Sequence, residues 1–224
     1  MPDKAALITD SWRANALAWI DALRRGLIES RRVATDEAIV HAALALNPVR
    51  VLDAGCGEGW LCRTLEERGV SAVGIDAAPE LIEEARHAGK GEFHVAAYDK
   101  LAELRRSLGL FSAVICNFSL FEEDLRPVLC QLRTFLEPGG RLLIHTLHPW
   151  SGAGGDYRDG WRVESFADFG GRFSQAMPWY FRGLTSWAAL LTDNGFFIEL
   201  LAEPSDPKSG MPLSLLLQCR ALSC

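Results

Sequence analysis

Three glycines at alternate positions, Gly55, Gly57 and Gly59, follow an aspartate, Asp53, in the stretch VLDAGCGEG. Glycine has no Cβ, so a turn built this way folds back sharply and lets the backbone approach a bound molecule. Val51 and Leu52 close a short apolar run after Pro48, the profile of a buried strand. Leu61 and Leu65 then mark one face of a helix that stops at Gly69. Strand, glycine turn and helix together make a nucleotide-binding crevice at the carboxyl end of a strand. The dinucleotide fingerprint requires Gly or Ala where this chain carries Trp60, which argues against NAD. A phosphate-binding P-loop needs a G-K-[ST] ending that is missing here. Asp53 would repel a pyrophosphate and suits a positive amino group. A second acid, Asp76, ends the next strand, residues 70–75, where a carboxylate can accept both hydroxyls of a ribose. The chemistry is that of a cationic, adenosine-like ligand.

The elements that position these residues follow in order. Two helices precede the first strand. One carries Trp12, Ala16, Trp19, Leu23 and Leu27 on one face with Asp10 as N-cap, and the other begins at Thr35 and stops at Asn47-Pro48. A helix over residues 79–87 has Pro79 at its first position and acids near its positive end. The third strand covers residues 92–96. The fourth, residues 111–118, is almost wholly apolar and therefore central, covered on both faces. Leu125, Val128, Leu129, Leu132 and Leu136 form the stripe of the next helix, with Glu122, Glu123 and Asp124 at its favourable end. A fifth strand spans residues 141–147, and a last helix (186–191) leads to two closing strands, 196–201 and 213–220.

VLDAGCGEG followed by VGIDAAPELIEEAR resembles the class I S-adenosylmethionine (SAM)-dependent methyltransferases, in their small-molecule branch that includes ubiquinone and menaquinone biosynthesis. The turn Leu136-Glu137-Pro138-Gly139-Gly140 matches the one common before the fifth strand of that family. The resemblance covers residues 49–222 and implies an α/β Rossmann-like fold. That fold has a seven-stranded, mostly parallel sheet, a C-terminal antiparallel hairpin and helices on both faces. It further implies SAM as cofactor, with S-adenosylhomocysteine (SAH) as product. On its pattern Asp53, Ala54, Gly55, Cys56 and Gly57 hold the methionine part, and Asp76 with Ala77 the ribose. Ala97 and Tyr98 meet the adenine, and Asn117 and Phe118 lie near the sulfonium. An arginine of the N-terminal segment, Arg31, meets the cofactor carboxylate; the alternative is that Arg31 and Arg32 are ordinary solvated charges. Ala78 stands where many relatives carry a capping serine.

The acceptor is less legible. Amino-methyltransferases of adenine or glutamine carry an Asn/Asp-Pro-Pro-aromatic motif where this chain reads Cys116-Asn117-Phe118-Ser119, and the Pro-Cys pair of cytosine C5 enzymes occurs nowhere. His148, at the end of the fifth strand, is the expected general base, with His145 read as a hydrogen-bonded strand residue. Residues 150–181 mix six glycines with nine aromatics and read as a structureless lid over a small organic acceptor. The alternative is that these aromatics simply cover one end of the sheet. A SAM- or SAH-binding protein without catalysis is the competing functional reading.

Composition bounds the rest. The 224 residues, 49% hydrophobic, suffice for one α/β domain. Its parts are expected at 1–47 (N-terminal helices), 48–147 (cofactor core), 148–182 (lid) and 183–224 (closing helix and hairpin). A net charge of −6 without a basic block argues against a phosphate-tracking nucleic-acid surface. No apolar run reaches the roughly 18 residues of a membrane span, and the N-terminal residues lack a signal pattern. The expectation is a soluble, cytoplasmic protein, as monomer or homodimer. Cys56, Cys62, Cys116, Cys130, Cys219 and Cys224 show no C-x-x-C spacing, which argues against a metal.

Overall fold

A computed structural model describes residues 4–222. The first three residues of the N-terminus and Cys224 lie outside the described residues. The N-terminal segment departs from the two expected helices. It forms α1 (Lys4–Ala14) and α2 (Ala16–Arg24), a π-helical turn at Arg31–Thr35, and α3 (Asp36–Ala45). Asp10 lies inside α1 and caps nothing. The break falls at Asn15, whose buried side chain leaves the helix surface to bond another segment: Oδ1 accepts from Ser174 N (2.8 Å) and Gln175 N (3.2 Å), and Nδ2 donates to Gln175 O (2.7 Å). Asparagine side chains compete in this way with helical continuity.

The core alternates strand and helix. β1 (Arg50–Ala54), α4 (Trp60–Glu66), β2 (Ser71–Asp76), α5 (Pro79–Ala88) and β3 (Glu92–Val95) are followed by α6 (Leu101–Leu108). Then come β4 (Phe111–Asn117), α7 (Arg126–Phe135), β5 (Leu136–Leu147) and the short α8 (Pro149–Gly152). β6 (Gly160–Glu164) and β7 (Met177–Phe181) precede α9 (Leu184–Asp193), β8 (Phe196–Ala202) and β9 (Ser214–Ala221). Seven strands form one sheet in the order β3-β2-β1-β4-β5-β9-β8, with β1 to β5 paired in parallel and β9 antiparallel to both its neighbours. The mostly parallel Rossmann-like sheet with a closing antiparallel pair is therefore present as the sequence predicts.

Side chains alternate between the two faces as the strand period demands. Leu52 and Ala54 of β1 pack into the layer holding α6, α7 and α9, whereas Val51 enters the layer of α3, α4 and α5. β4 contributes Ala113, Val114, Ile115 and Cys116, all fully buried, which is why its sequence shows no alternation. Helix α6 is an addition to the sequence reading; Leu101, Leu104 and Leu108 carried its spacing. α7 starts four residues later than its acidic stretch, so Glu122, Glu123 and Asp124 belong to the loop after β4. The Pro138-Gly139-Gly140 turn is a local irregularity at the start of β5, between the pairs Phe111–Leu136 and Ala113–Arg141.

The expected structureless lid is not structureless. β6 and β7 pair as a two-stranded antiparallel sheet from Gly160–Phe181 to Glu164–Met177. An isolated hairpin is marginal in water, and this one is held by aromatic packing against the N-terminal helices. Trp12 and Trp19 stack at 5.0 Å, and Trp19 meets Phe173 edge-on at 4.9 Å and Phe166 at 5.6 Å. Trp19 thus packs mainly against the lid. No helix among the described residues is long and apolar enough to cross a membrane.

Candidate active site

The strand order reverses between β1 and β4, and at such a switch point the two flanking loops diverge and leave a crevice. Here it is a cavity of about 1190 Å³. Its floor is the carboxyl ends of β1, β2 and β4; its roof is α1, α2 and the β6–β7 hairpin.

The glycine turn makes the floor. Gly55 and Gly57 have φ of +84° and +57°, in the left-handed region that side chains resist. A Cβ on Gly55 would stand 2.3 Å from the Ser119 Cβ, so the turn and the loop after β4 close on each other only through glycine. A Cβ on Gly57 would meet nothing within 4 Å, because that face opens on the cavity. Gly55 N and Cys56 N both donate to Ile75 O (2.8 and 2.9 Å), tying the turn to β2. Gly57 N donates to Asp76 Oδ2 (2.9 Å), and Ala78 N to Asp76 Oδ1 (2.8 Å). The second bond fixes the backbone just before α5. Burial nonetheless pushes the Asp76 carboxyl above its ordinary pKa.

Asp53 is the most constrained charge of the site. It is 1% exposed, and its Oδ2 accepts from the Cys62 thiol at 3.7 Å while Oδ1 has no partner. Burial pushes its pKa to about 7, with the nearby Asp76 charge adding to the rise. A buried carboxylate oxygen left unpaired costs stability, and Asp53 is one of the residues lining the cavity.

Asn117 ends β4 and Phe118 follows it. The Asn117 carboxamide pairs through Oδ1 with His145 Nδ1 (2.9 Å), and His145 Nε2 meets Ser214 Oγ (2.8 Å). Burial pushes the His145 pKa down to about 3, so its ring is neutral at physiological pH, as a hydrogen-bonded strand residue should be. Phe118 takes φ +51° and lays its ring 4.7 Å from His145. The Tyr98 hydroxyl, 3.1 Å from Ala54 O, donates to it, and Ser119 Oγ donates to the same carbonyl (2.7 Å). Arg31, in the π-helical turn, bonds Asp36 Oδ1 (2.7 Å) and lies 4.5 Å over the Trp60 ring. It is not an ordinary solvated charge.

The structure brings together Arg31, Asp53, Gly55, Cys56, Gly57, Asp76, Ala77, Ala97, Tyr98, Asn117 and Phe118 around this cavity. Two expected residues are not there. Ala54 is fully buried and serves through its carbonyl. His148 is held elsewhere: its Nδ1 accepts from Trp150 N (3.1 Å) as the N-cap of α8, and its Nε2 meets Oε1 of Glu203 (2.8 Å), just after β8. His148 is therefore not among the residues that line the cavity, where a general base would have to stand. Sequence reasoning missed the cavity roles of Glu122, Glu123 and Glu164, and their acidity alone did not distinguish them from solvated charges. Among the described residues no cluster of His, Cys, Asp or Glu is placed to hold a metal ion.

Fold and crevice define a doubly wound α/β protein that takes a nucleotide-like ligand at its switch point. The chain belongs to the methyltransferase-domain family, which matches residues 19–201. A ubiquinone biosynthesis O-methyltransferase of Xanthomonas oryzae pv. oryzae is 35% identical over 115 residues, 49% of this chain and 47% of that one. The Xylella fastidiosa protein of the same name is 34% identical over a stretch of equal length, 49% and 46% of the two chains. The chain thus spans about half the length of the curated relatives it matches. Magnesium protoporphyrin IX methyltransferase from Synechocystis PCC 6803, solved with bound SAH, superposes with a TM-score of 0.66 at 21% identity, over 99% of this chain and all of that one. A SAM-dependent methyltransferase of Mesorhizobium loti gives 0.59 at 23% identity, over 76% and 90%. Likeness at that level of identity shows the fold.

Proposed function

We propose that this chain binds SAM on the cavity floor and transfers its methyl group to a small organic acceptor held under the roof. The observation that carries the reading is the pair of acids, Asp53 in β1 and Asp76 at the end of β2, that flank one glycine turn. Asp53 lines the cavity and has one oxygen without a hydrogen-bond partner among the described residues, which suits a positive amino group, and Asp76 ends the adjacent strand β2 with lone pairs for ribose hydroxyls. The open face of Gly57 lets backbone approach the ligand without a side chain between. These features fit SAM and do not fit a pyrophosphate.

Bound SAM supplies an electrophilic methyl carbon on a sulfonium, so the protein's share is placement and exclusion of water. Asp53 holds the amino group, Arg31 faces the carboxylate, Asp76 orients the ribose, and Ala97 with Tyr98 flank the adenine. Asn117, fixed by His145, keeps its carboxamide nitrogen free at the end of β4. The aromatic roof shields the acceptor from water. The acceptor of the ubiquinone enzymes is a property of those proteins, and the roof here is the part that must select this chain's own.

Calorimetric titration with SAM, SAH and NADH tests the reading. Micromolar binding of SAM and SAH without NADH is expected, and Asp76→Ala should weaken SAH at least about tenfold through loss of a charge-assisted bond pair. Binding of NADH alone would falsify it.

A further inference from the structure

The roof side of the cavity has its own electrostatic character, independent of the floor. Its walls are rings: Trp12, Trp19, Phe121, Trp161 and Trp179 line it. Its charged side chains are mostly carboxylates. Asp124 is taken up by Arg126 in a two-pronged pair. Glu123 accepts from Trp161 Nε1 (3.0 Å), which fixes that ring and enriches its electron density. Glu122 is half-buried, and its Oε2 accepts from Phe121 N (3.1 Å). Burial raises the Glu122 pKa, against the backbone amides and the Arg182 charge that act to lower it.

One cation already sits against these rings, and it belongs to the chain. The Lys4 ammonium lies 4.3 Å from the centroid of Trp161. Lys4 lines the same cavity. An ammonium over the face of an indole is a favourable electrostatic contact worth about 0.5–2 kcal/mol depending on desolvation. The chain's own side chain therefore demonstrates which charge this wall accepts. A carboxylate or phenolate acceptor would meet rings presenting their negative faces beside the Glu122 carboxylate, whose neighbouring cation, Arg182, is engaged by the Glu122 and Glu123 carbonyls.

Resting on the methyl-transfer reading, we propose that the acceptor is a flat aromatic molecule carrying a positively charged amine, with its ring among the roof aromatics and its ammonium near Glu122 and the Trp161 face. The assignment concerns the group that is recognised; it leaves the methylated atom open.

Three probes with one ring system and three charges test it: tryptamine (positive), indole-3-ethanol (neutral) and indole-3-acetate (negative). Each is titrated into SAH-loaded protein. Tryptamine should bind at least about tenfold tighter than indole-3-ethanol, and indole-3-acetate weakest. Lys4→Met should tighten tryptamine further by vacating the ring face. Glu122→Gln, nearly isosteric, should bring tryptamine toward the affinity of the alcohol. Equal affinities for tryptamine and the alcohol, a preference for the acetate, or no binding of any probe would overturn the proposal. SAH binding is read first on the same sample. If it fails, the cofactor reading falls, and the same series on free protein still decides the charge preference of the roof.

Discussion

The floor and the roof of the cavity are built by opposite means. The floor is made of adjacent strand ends, and its contacts are backbone amides on fixed acceptors: Gly57 N on Asp76, and Gly55 N and Cys56 N on Ile75 O. The roof is made of segments far apart in the chain, and its contacts are rings: Trp12 and Trp19 from the N-terminal helices, Phe166 and Phe173 from the lid. Backbone geometry can be lost only by changing the path of the chain, whereas ring packing can be retuned one side chain at a time. A fixed ligand belongs on the first kind of surface and a variable one on the second.

Substitutions should expose this contrast, and the largest effect belongs to the floor. Gly55→Ala adds a Cβ at positive φ against Ser119. SAH affinity should fall by roughly a hundredfold or more, and the melting temperature should drop, since left-handed strain and a backbone shift both cost stability. Retained SAH affinity by calorimetry would mean that the turn adapts.

Asp53→Asn comes next, and it is read through pH. Asp53 titrates at about 7 in the fold and near its ordinary value of 3.8 when unfolded. The folded chain therefore binds the extra proton between about pH 4 and 7, and this residue's contribution makes the fold less stable as pH rises through that window. A cationic ligand pairs with the ionised form. SAM affinity should thus rise with pH up to about 7 and then level, with proton uptake by buffer on binding below that point. The Asn variant should bind SAM on the order of tenfold more weakly above pH 7 and show no slope. A slope that persists in the variant would assign the proton elsewhere.

Roof and floor separate at Trp19→Ala. The half-buried ring contacts Trp12, Phe166 and Phe173, so thermal stability should fall by about 2 kcal/mol or less, below the range for a fully buried tryptophan. SAH affinity should stay within about threefold while turnover with any acceptor falls further. Parallel loss of both would show that the two surfaces act as one. The smallest effect is expected from His148→Ala: a cap worth about 1 kcal/mol is lost from α8, and turnover should remain within about twofold.

The same contrast governs what the sequence disclosed. The floor was legible because its constraints are local: Asp53 stands two positions before Gly55, and Asp76 ends the strand that follows, so spacing alone implied the crevice. The sheet was legible from apolar runs, down to the buried β4. The roof was not. That Trp19 meets Phe173 depends on chain path, and no periodicity announces a contact across that separation. At His148, position along a strand fixes which end of the sheet a residue reaches but not which way its ring turns. Its Nδ1 is taken by Trp150 N, a local bond that outweighed the strand's general direction. The β6–β7 hairpin escaped notice because glycines and aromatics mask strand alternation.

The carboxamide of Asn15 bonds residues about 160 positions further along the chain. A contact of that separation must close a very long loop, and its entropy is recovered only once the intervening chain is already compact. The order of assembly follows. During refolding the glycine turn, whose partners lie in the neighbouring strands, must mature before the N-terminal helices meet the lid. A chain emerging from denaturant should recover SAH binding before it recovers the tryptophan environment of the finished protein.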